Sequence, residues 1–317
     1  MSMYEKRKAL LIGVNEYDYY NRLKGCENDV RMMEEVLQCH EKGDPNFSIS
    51  KVLNETNDHI KSEIITLLKR DATMALLYFS GHGNVTDEGG FICGRDVSKE
   101  NSGVSMDWII EQINKSIIPE ITVILDCCFA GEIANEETDG TVFTRLRKGV
   151  TILAATTEND TATEFLRKGV FTSILYNGLK GAAKDILGHV TAVSLYSNSE
   201  SILSPWEQRP VFKSFVKQLT PLRFCLPTVR KRILRQMVHE PYFSSKEKLI
   251  SLDSKLLKDE FGTIGQEELY ALASFEKAGL LECPDRIPLL QAIIENKTCG
   301  LSPFGKHVWE LFSKRNI

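Results

Sequence analysis

The sequence predicts a three-layer α/β/α domain on a mostly parallel sheet, followed by a small, mainly helical domain. Three observations carry this. Strand-length aliphatic runs punctuate the first half of the chain, amphipathic helical patterns lie between them, and past residue 205 only helical patterns continue. The first run, residues 9–14, has no charged side chain, as expected of a strand covered on both faces. Asn28 or Asp29 is then expected to open a helix through Val30, Met33, Val36 and Leu37, apolar residues at helical spacing. Ile60, Ile64, Leu67 and Leu68 mark a second helix, and residues 75–79 a second strand. Trp108, Ile109, Gln112 and Ile113 give a third helix, residues 121–125 and 150–155 two further strands, and residues 171–179 a fourth helix.

Pro205, Pro210, Pro221 and Pro227 break this alternation, and the boundary is expected between residues 1–218 and 219–317. Helices are expected over 229–238, 246–257, 266–278, 289–294 and 303–312, the last opened by Pro303 after Ser302. The helix ending near Gly279, a β pair and the final helix are similar to a winged-helix segment.

Composition excludes several classes. With 42% apolar and 26% charged residues, the chain has the balance of a soluble globular protein. A formal charge of −4 is too mild to point to nucleic acid or membrane. It is unevenly spread, about −7 over residues 1–218 and +3 over 219–317. No apolar run approaches the roughly 20 residues of a membrane span, and the N-terminal apolar stretch breaks at Asn15–Glu16, unlike a secretory signal. Eight cysteines without CxxC spacing argue for free thiols in a reducing, cytoplasmic setting and against structural zinc.

Functional groups on a parallel sheet gather where strands end. The second strand runs into Ser80-Gly81-His82-Gly83 and the third into Asp126-Cys127-Cys128-Phe129-Ala130-Gly131. If these strands are neighbours, His82 and Cys128 leave the sheet side by side, and an imidazole can activate a thiol. The amides of Gly83 and Cys128 are then candidates for an oxyanion hole. The two residues stand 46 positions apart, His first, close to the spacing of about 50 in caspases.

Read together, KALLIGVNEY, LKGCENDV, YFSGHG and DCCFAG resemble the metacaspase and orthocaspase branch of the caspase-like cysteine proteases. VTILAATTENDTATE, GVFTSILYNGLKGAA and EQRPVF are similar to the small-subunit half of bacterial caspase-like proteins, so the resemblance covers about residues 6–215. It implies the caspase–haemoglobinase fold, cysteine endopeptidase activity with His82 and Cys128 as dyad, and Cys127 as a structural neighbour. It also implies a primary pocket of Asp29, Ser80 and Asp126. The position that holds an arginine in caspases falls on Leu23, and their glutamine two before the nucleophile is Asp126. Two converging carboxylates repel an acidic side chain and attract a guanidinium, so Arg, then Lys, is expected at P1, the substrate residue before the cut bond.

No metal or organic cofactor is needed for this acyl transfer. Many metacaspases are activated by calcium through an acidic segment after the catalytic His; Asp87, Glu88 and Asp96 here are too sparse for that. Residues 132–148 match the connector often cut during activation, and Arg145 and Arg147 are its candidate self-cleavage positions.

The cluster Arg230-Lys231-Arg232 with Arg235 is the strongest basic feature of the C-terminal segment. The weak charge there argues against DNA, and a regulatory partner is the expected occupant. The alternatives are a catalytically degenerate scaffold and a winged-helix regulator. Bacterial caspase-like proteins that act with toxin partners suggest a defence setting.

Overall fold

The computed structural model describes residues 6–69, 71–127, 135–138, 141–144, 146–155, 169–204, 210–217, 219–253, 256 and 263–314. They divide into two units. One comprises Met1–Lys184 and His189–Cys225, the other Asp185–Gly188 and Leu226–Ile317. Residues 219–225, set after the sequence boundary, go with the first unit. The buried guanidinium of Arg7 donates to the carbonyls of Pro221 and Leu222, and Asn46 Nδ2 also donates to Leu222 O at 2.9 Å.

In the first unit the strands are β1 (Arg7–Gly13), β2 (Ser48–Leu53), β3 (Met74–Ser80), β4 (Gly83–Thr86), β5 (Gly89–Ile92), β6 (Val104–Ser105), β7 (Glu120–Asp126), β8 (Asn135–Thr138), β9 (Thr141–Thr144), β10 (Val150–Ala154), β11 (His189–Val190), β12 (Val211–Phe215) and β13 (Arg223–Phe224). The helices are α1 (Cys26–Leu37), α2 (Asn57–Lys69), α3 (Met106–Lys115), α4 (Val170–Asn177) and α5 (Ala192–Leu203). Six strands form the main sheet in the order β12-β10-β7-β3-β1-β2. All its neighbours are parallel except the β10–β12 pair at one edge. The expected mostly parallel sheet is thus present, with an antiparallel edge strand added.

Alternation along the strands splits the core into two layers. Leu10, Ile12, Leu77 and Phe79 pack toward α2 and α3 with Ile60, Ile64 and Ile109. Ala9, Leu11, Leu76 and Tyr78 pack on the other face with α1, α4 and α5, against Val30, Leu175 and Leu195. All seven residues of β3 are buried, so it reads as an uninterrupted apolar run.

Two expectations need correction. The first helix starts at Cys26 with Gly25 as its N-cap, so neither Asn28 nor Asp29 opens it; Asp29 lies buried inside the first turn. Residues 246–253 of the expected helix 246–257 are not helical. They contain β14 (Ile250–Ser251), where Ile250 and Leu252 are buried while Leu249 and Ser251 are exposed, the period of two of a strand.

The second unit continues with α6 (Lys231–Met237), α7 (Thr263–Lys277), β15 (Leu281–Glu282), α8 (Leu289–Ile294), β16 (Thr298–Leu301) and α9 (Pro303–Lys314). Its three strands pair antiparallel in the order β14-β16-β15, and α8 sits in the connection between β15 and β16. Phe243, Leu272, Phe275 and Ile293 are fully buried in a core of its own. No helix among the described residues is long and apolar enough to cross a membrane.

Candidate active site

The β3–β7 pairing positions the site. Ser80 and Asp126 are register partners at the carboxyl ends of the two central strands. Past Ser80 the chain turns through Gly81, whose amide donates to Asp126 O at 3.4 Å. A Cβ at Gly81 would come within 2.8 Å of the Tyr17 hydroxyl, so the turn has no room for a side chain.

His82 follows, held at two points by the loop after β1. Its backbone N–H donates to the Tyr17 hydroxyl at 2.8 Å, with the two ring centroids 4.6 Å apart. Its ring Nε2 lies 2.8 Å from the carbonyl oxygen of Asn21. A carbonyl only accepts, so Nε2 carries a proton in this contact. Burial pushes the Tyr17 phenol well above its ordinary range, so it stays protonated beside the imidazole.

Gly83 begins β4. Cys93 N donates to His82 O at 3.0 Å, so 82 and 93 form the hydrogen-bonded pair of that ladder. The following pair, Gly83 with Ile92, is then the non-bonded kind, and the Gly83 N–H points away from β5.

The acidic residues converge on the Ser80 side. Ser80 Oγ donates to Asp29 Oδ2 at 2.8 Å. Asp126 Oδ2 accepts from Thr172 twice, from the hydroxyl at 2.5 Å and from the backbone N–H at 3.2 Å. Each carboxylate thus spends Oδ2 on an anchor, and among the described residues neither Oδ1 has a hydrogen-bond partner nor either carboxylate an ion-pair partner.

Both acids lie at the N-terminus of α4. Thr172 is in its first turn, and Gly169, its N-cap at φ 83°, comes so close that a Cβ there would lie 3.4 Å from Asp29 Oδ1. Exposed helix amides favour negative charge, whereas burial disfavours it. Burial prevails: it raises the Asp29 carboxyl above 3.8, and it pushes Asp126 up to about 6, with the Asp29 charge adding to the rise and Thr172 opposing it.

Of the site residues expected from sequence, the structure brings Asp29, Ser80, Asp126, His82 and Gly83 to the β3–β7 edge. Cys128 and Arg145 lie outside the described residues. Cys127 is buried in the layer below. Leu23 is buried at 6% exposure and supplies no cation.

Arg147 is anchored. Its guanidinium donates to the carbonyls of Ile113 at 2.9 Å, Ile118 at 2.5 Å and Lys148 at 2.8 Å, so it is not a free side chain for self-cleavage. Asp96 caps α2 by accepting from Asn57 N at 2.7 Å and also takes Asn101 Nδ2 at 3.2 Å, while Asp87 and Glu88 are exposed. Among the described residues no cluster of three metal-ligating side chains occurs.

Sequence reasoning missed Tyr17, Asn21, Cys26, Tyr78 and Thr172. Cys26, whose thiol is hydrogen-bonded to Ser80 and pushed up to about 11 by burial, stands three positions before Asp29 on the same helix face. That spacing was a usable signal. The others reach the site only through the fold.

Comparison with known proteins agrees with this architecture. The model of the caspase domain matches residues 6–219. Metacaspase-2 of Trypanosoma brucei brucei (strain 927/4 GUTat10.1) is 31% identical over 147 residues, 40% of this chain and 42% of its own length. Metacaspase-3 of Trypanosoma brucei brucei is 31% identical over 147 residues, 40% and 41% of the two chains. Metacaspase-1 of Debaryomyces hansenii is 29% identical over 149 residues, 40% and 33%. The chain thus spans less than half the length of these curated relatives. With the caspase-domain match running over well more than half of its residues, the chain belongs to the caspase-domain family of cysteine peptidases.

Proposed function

We propose that this chain is a cysteine endopeptidase that cuts proteins after Arg, and less well after Lys, with His82 and Cys128 as its dyad. One observation carries the reading: the register of the two central strands. Ser80 and Asp126 face each other, His82 stands two residues beyond the first, and Cys128 stands two residues beyond the second. In sequence, the candidate nucleophile and base thus follow adjacent strands at equal offsets from one paired rung.

In this reaction the Cys128 thiolate attacks the carbonyl carbon of the P1 residue. The Gly83 N–H is a donor for the oxygen that becomes negative. His82 gives its proton to the leaving amine as the C–N bond breaks, and the thioester is hydrolysed by water that His82 deprotonates. Asn21 O holds the imidazole by its other nitrogen throughout. The two Oδ1 atoms of Asp29 and Asp126 suit a guanidinium, whose fork offers parallel N–H donors; an ammonium offers one point of charge. No metal is required for these steps.

Self-cleavage within residues 132–148, where Arg145 is the better candidate since Arg147 is anchored, and a regulatory partner for the C-terminal unit are further parts of this proposal.

A fluorogenic peptide panel varying only P1 tests it. Arg is expected first, Lys second and Asp inactive. Cys128→Ala abolishes turnover, and Asp29→Ala lowers kcat/KM for Arg by about 100-fold, the effect of leaving a cation without its desolvated partner, about 3 kcal/mol. Preference for Asp at P1 overturns the pocket, and residual turnover in Cys128→Ala overturns the dyad.

A further inference from the structure

We propose that Thr172, locked by the Tyr78 hydroxyl, is a specificity-determining positioning residue that orients the Asp126 carboxylate so that Oδ1 is the oxygen presented to the P1 cation. This rests on the pocket reading given above and adds the part that sets its geometry.

A carboxylate on a strand end can rotate about χ2 almost freely, because that torsion is broad and two-fold. At Asp126 it is not free. Both Thr172 donors, hydroxyl and backbone N–H, converge on the same oxygen, Oδ2. A threonine hydroxyl also rotates, and this one is fixed in turn. Thr172 is fully buried, and the Tyr78 hydroxyl lies 2.6 Å from its Oγ1. Since the Thr172 proton is given to Asp126, Tyr78 must be the donor in that contact.

Tyr78 is itself fully buried on β3, two residues before Ser80 and on the same side of the strand. The chain of donors therefore runs in one direction, Tyr78 to Thr172 to Asp126. The Tyr78 hydroxyl is also hydrogen-bonded to Ser80, so it ties the two pocket hydroxyls together, and the Thr172 branch ends on an acid already costly to ionise. Hydrogen bonds to the charged form favour that form, so the same contact keeps Asp126 an acceptor in neutral solution. Among the described residues, the groups facing it are Asp29 and Cys26 from α1, Tyr78 from β3 and Thr172 from α4, and none of these is a cation.

The test uses the full chain and compares wild type, Thr172→Val, Thr172→Ser and Tyr78→Phe, each checked for folding by its thermal melt and for an intact thiol by the rate of Cys128 alkylation with iodoacetamide. Thr172→Val, close in shape but without the hydroxyl, is expected to raise KM for a P1-Arg peptide at least tenfold with kcat changed much less. The acid limb of its kcat/KM profile should move to higher pH, because the bond that favours ionised Asp126 is gone. Thr172→Ser restores both values. Tyr78→Phe, which frees the Thr172 hydroxyl without removing it, raises KM about threefold and gives a reading even if the valine variant does not fold.

A folded Thr172→Val or Tyr78→Phe with KM and acid limb unchanged, in a protein whose wild type prefers Arg, overturns the positioning role alone. A wild type indifferent to P1 charge overturns the pocket reading, and this inference with it.

Discussion

Asp126 carries two opposed demands. The proposed recognition of a P1 cation needs it ionised, and burial makes ionisation expensive; its carboxyl is pushed up to about 6 from 3.8. For an acid raised in the folded state, the associated stability is complete below the unfolded value and is lost as pH rises through the folded one. Asp126→Asn should therefore melt close to wild type near pH 4 and above it at pH 8, by up to about 3 kcal/mol, while losing most turnover of Arg peptides. A melting difference independent of pH contradicts this. Tyr17→Phe removes the acceptor for the His82 amide and is expected to lower kcat about fivefold, roughly 1 kcal/mol, with KM little changed; a change confined to KM contradicts it. His82 stood out in the sequence by its glycine-flanked place at a strand end, whereas Asp29 and Asp126 entered as pocket candidates only through the resemblance to the metacaspase branch. Thr172 was not legible: it lies 46 residues from the carboxylate it holds and looks like any threonine in an amphipathic helix.

Among elements, the central strands were the most legible and the edges the least. β3 and β7 are apolar runs because they are covered on both faces. β2 reads Ser-Ile-Ser-Lys-Val-Leu and buries only Val52 fully, so nothing in it separates a strand from a loop. β12 is legible only as part of the segment that follows the prolines, and its pairing with β10 is antiparallel. The entry to β10 depends on one residue. Gly149, at φ 92°, donates to Phe215 O at 2.7 Å and accepts from Ile121 N at 2.9 Å, and a Cβ there would lie 1.9 Å from Pro119 O. Gly149→Ala is expected to destabilise the first unit by at least about 2 kcal/mol, since the backbone on both sides is committed and the conformation disfavours L side chains. An unchanged denaturant midpoint contradicts that account.

On the scale of the whole chain, sequence texture located the change from α/β to helical organisation but not its atomic basis. Arg7, near the start of β1, holds residues 221 and 222 by their carbonyls, a link across more than 200 residues that no local pattern announces. The second unit has a separate core, so Phe275→Ala, which empties its centre, should cost that unit about 3–5 kcal/mol. The ratio of Arg to Lys turnover should stay as in wild type; a change in that ratio shows that the second core shapes the pocket.

The most direct test of the central claim is to treat the wild-type chain with matched peptide chloromethyl ketones ending in Arg or in Asp, then map the adduct by mass spectrometry. A thiol nucleophile beside an anionic pocket predicts one adduct, on Cys128, formed by the Arg reagent and not by the Asp reagent. Labelling at Cys127, labelling by the Asp reagent in preference, or no adduct with the Arg reagent would contradict it.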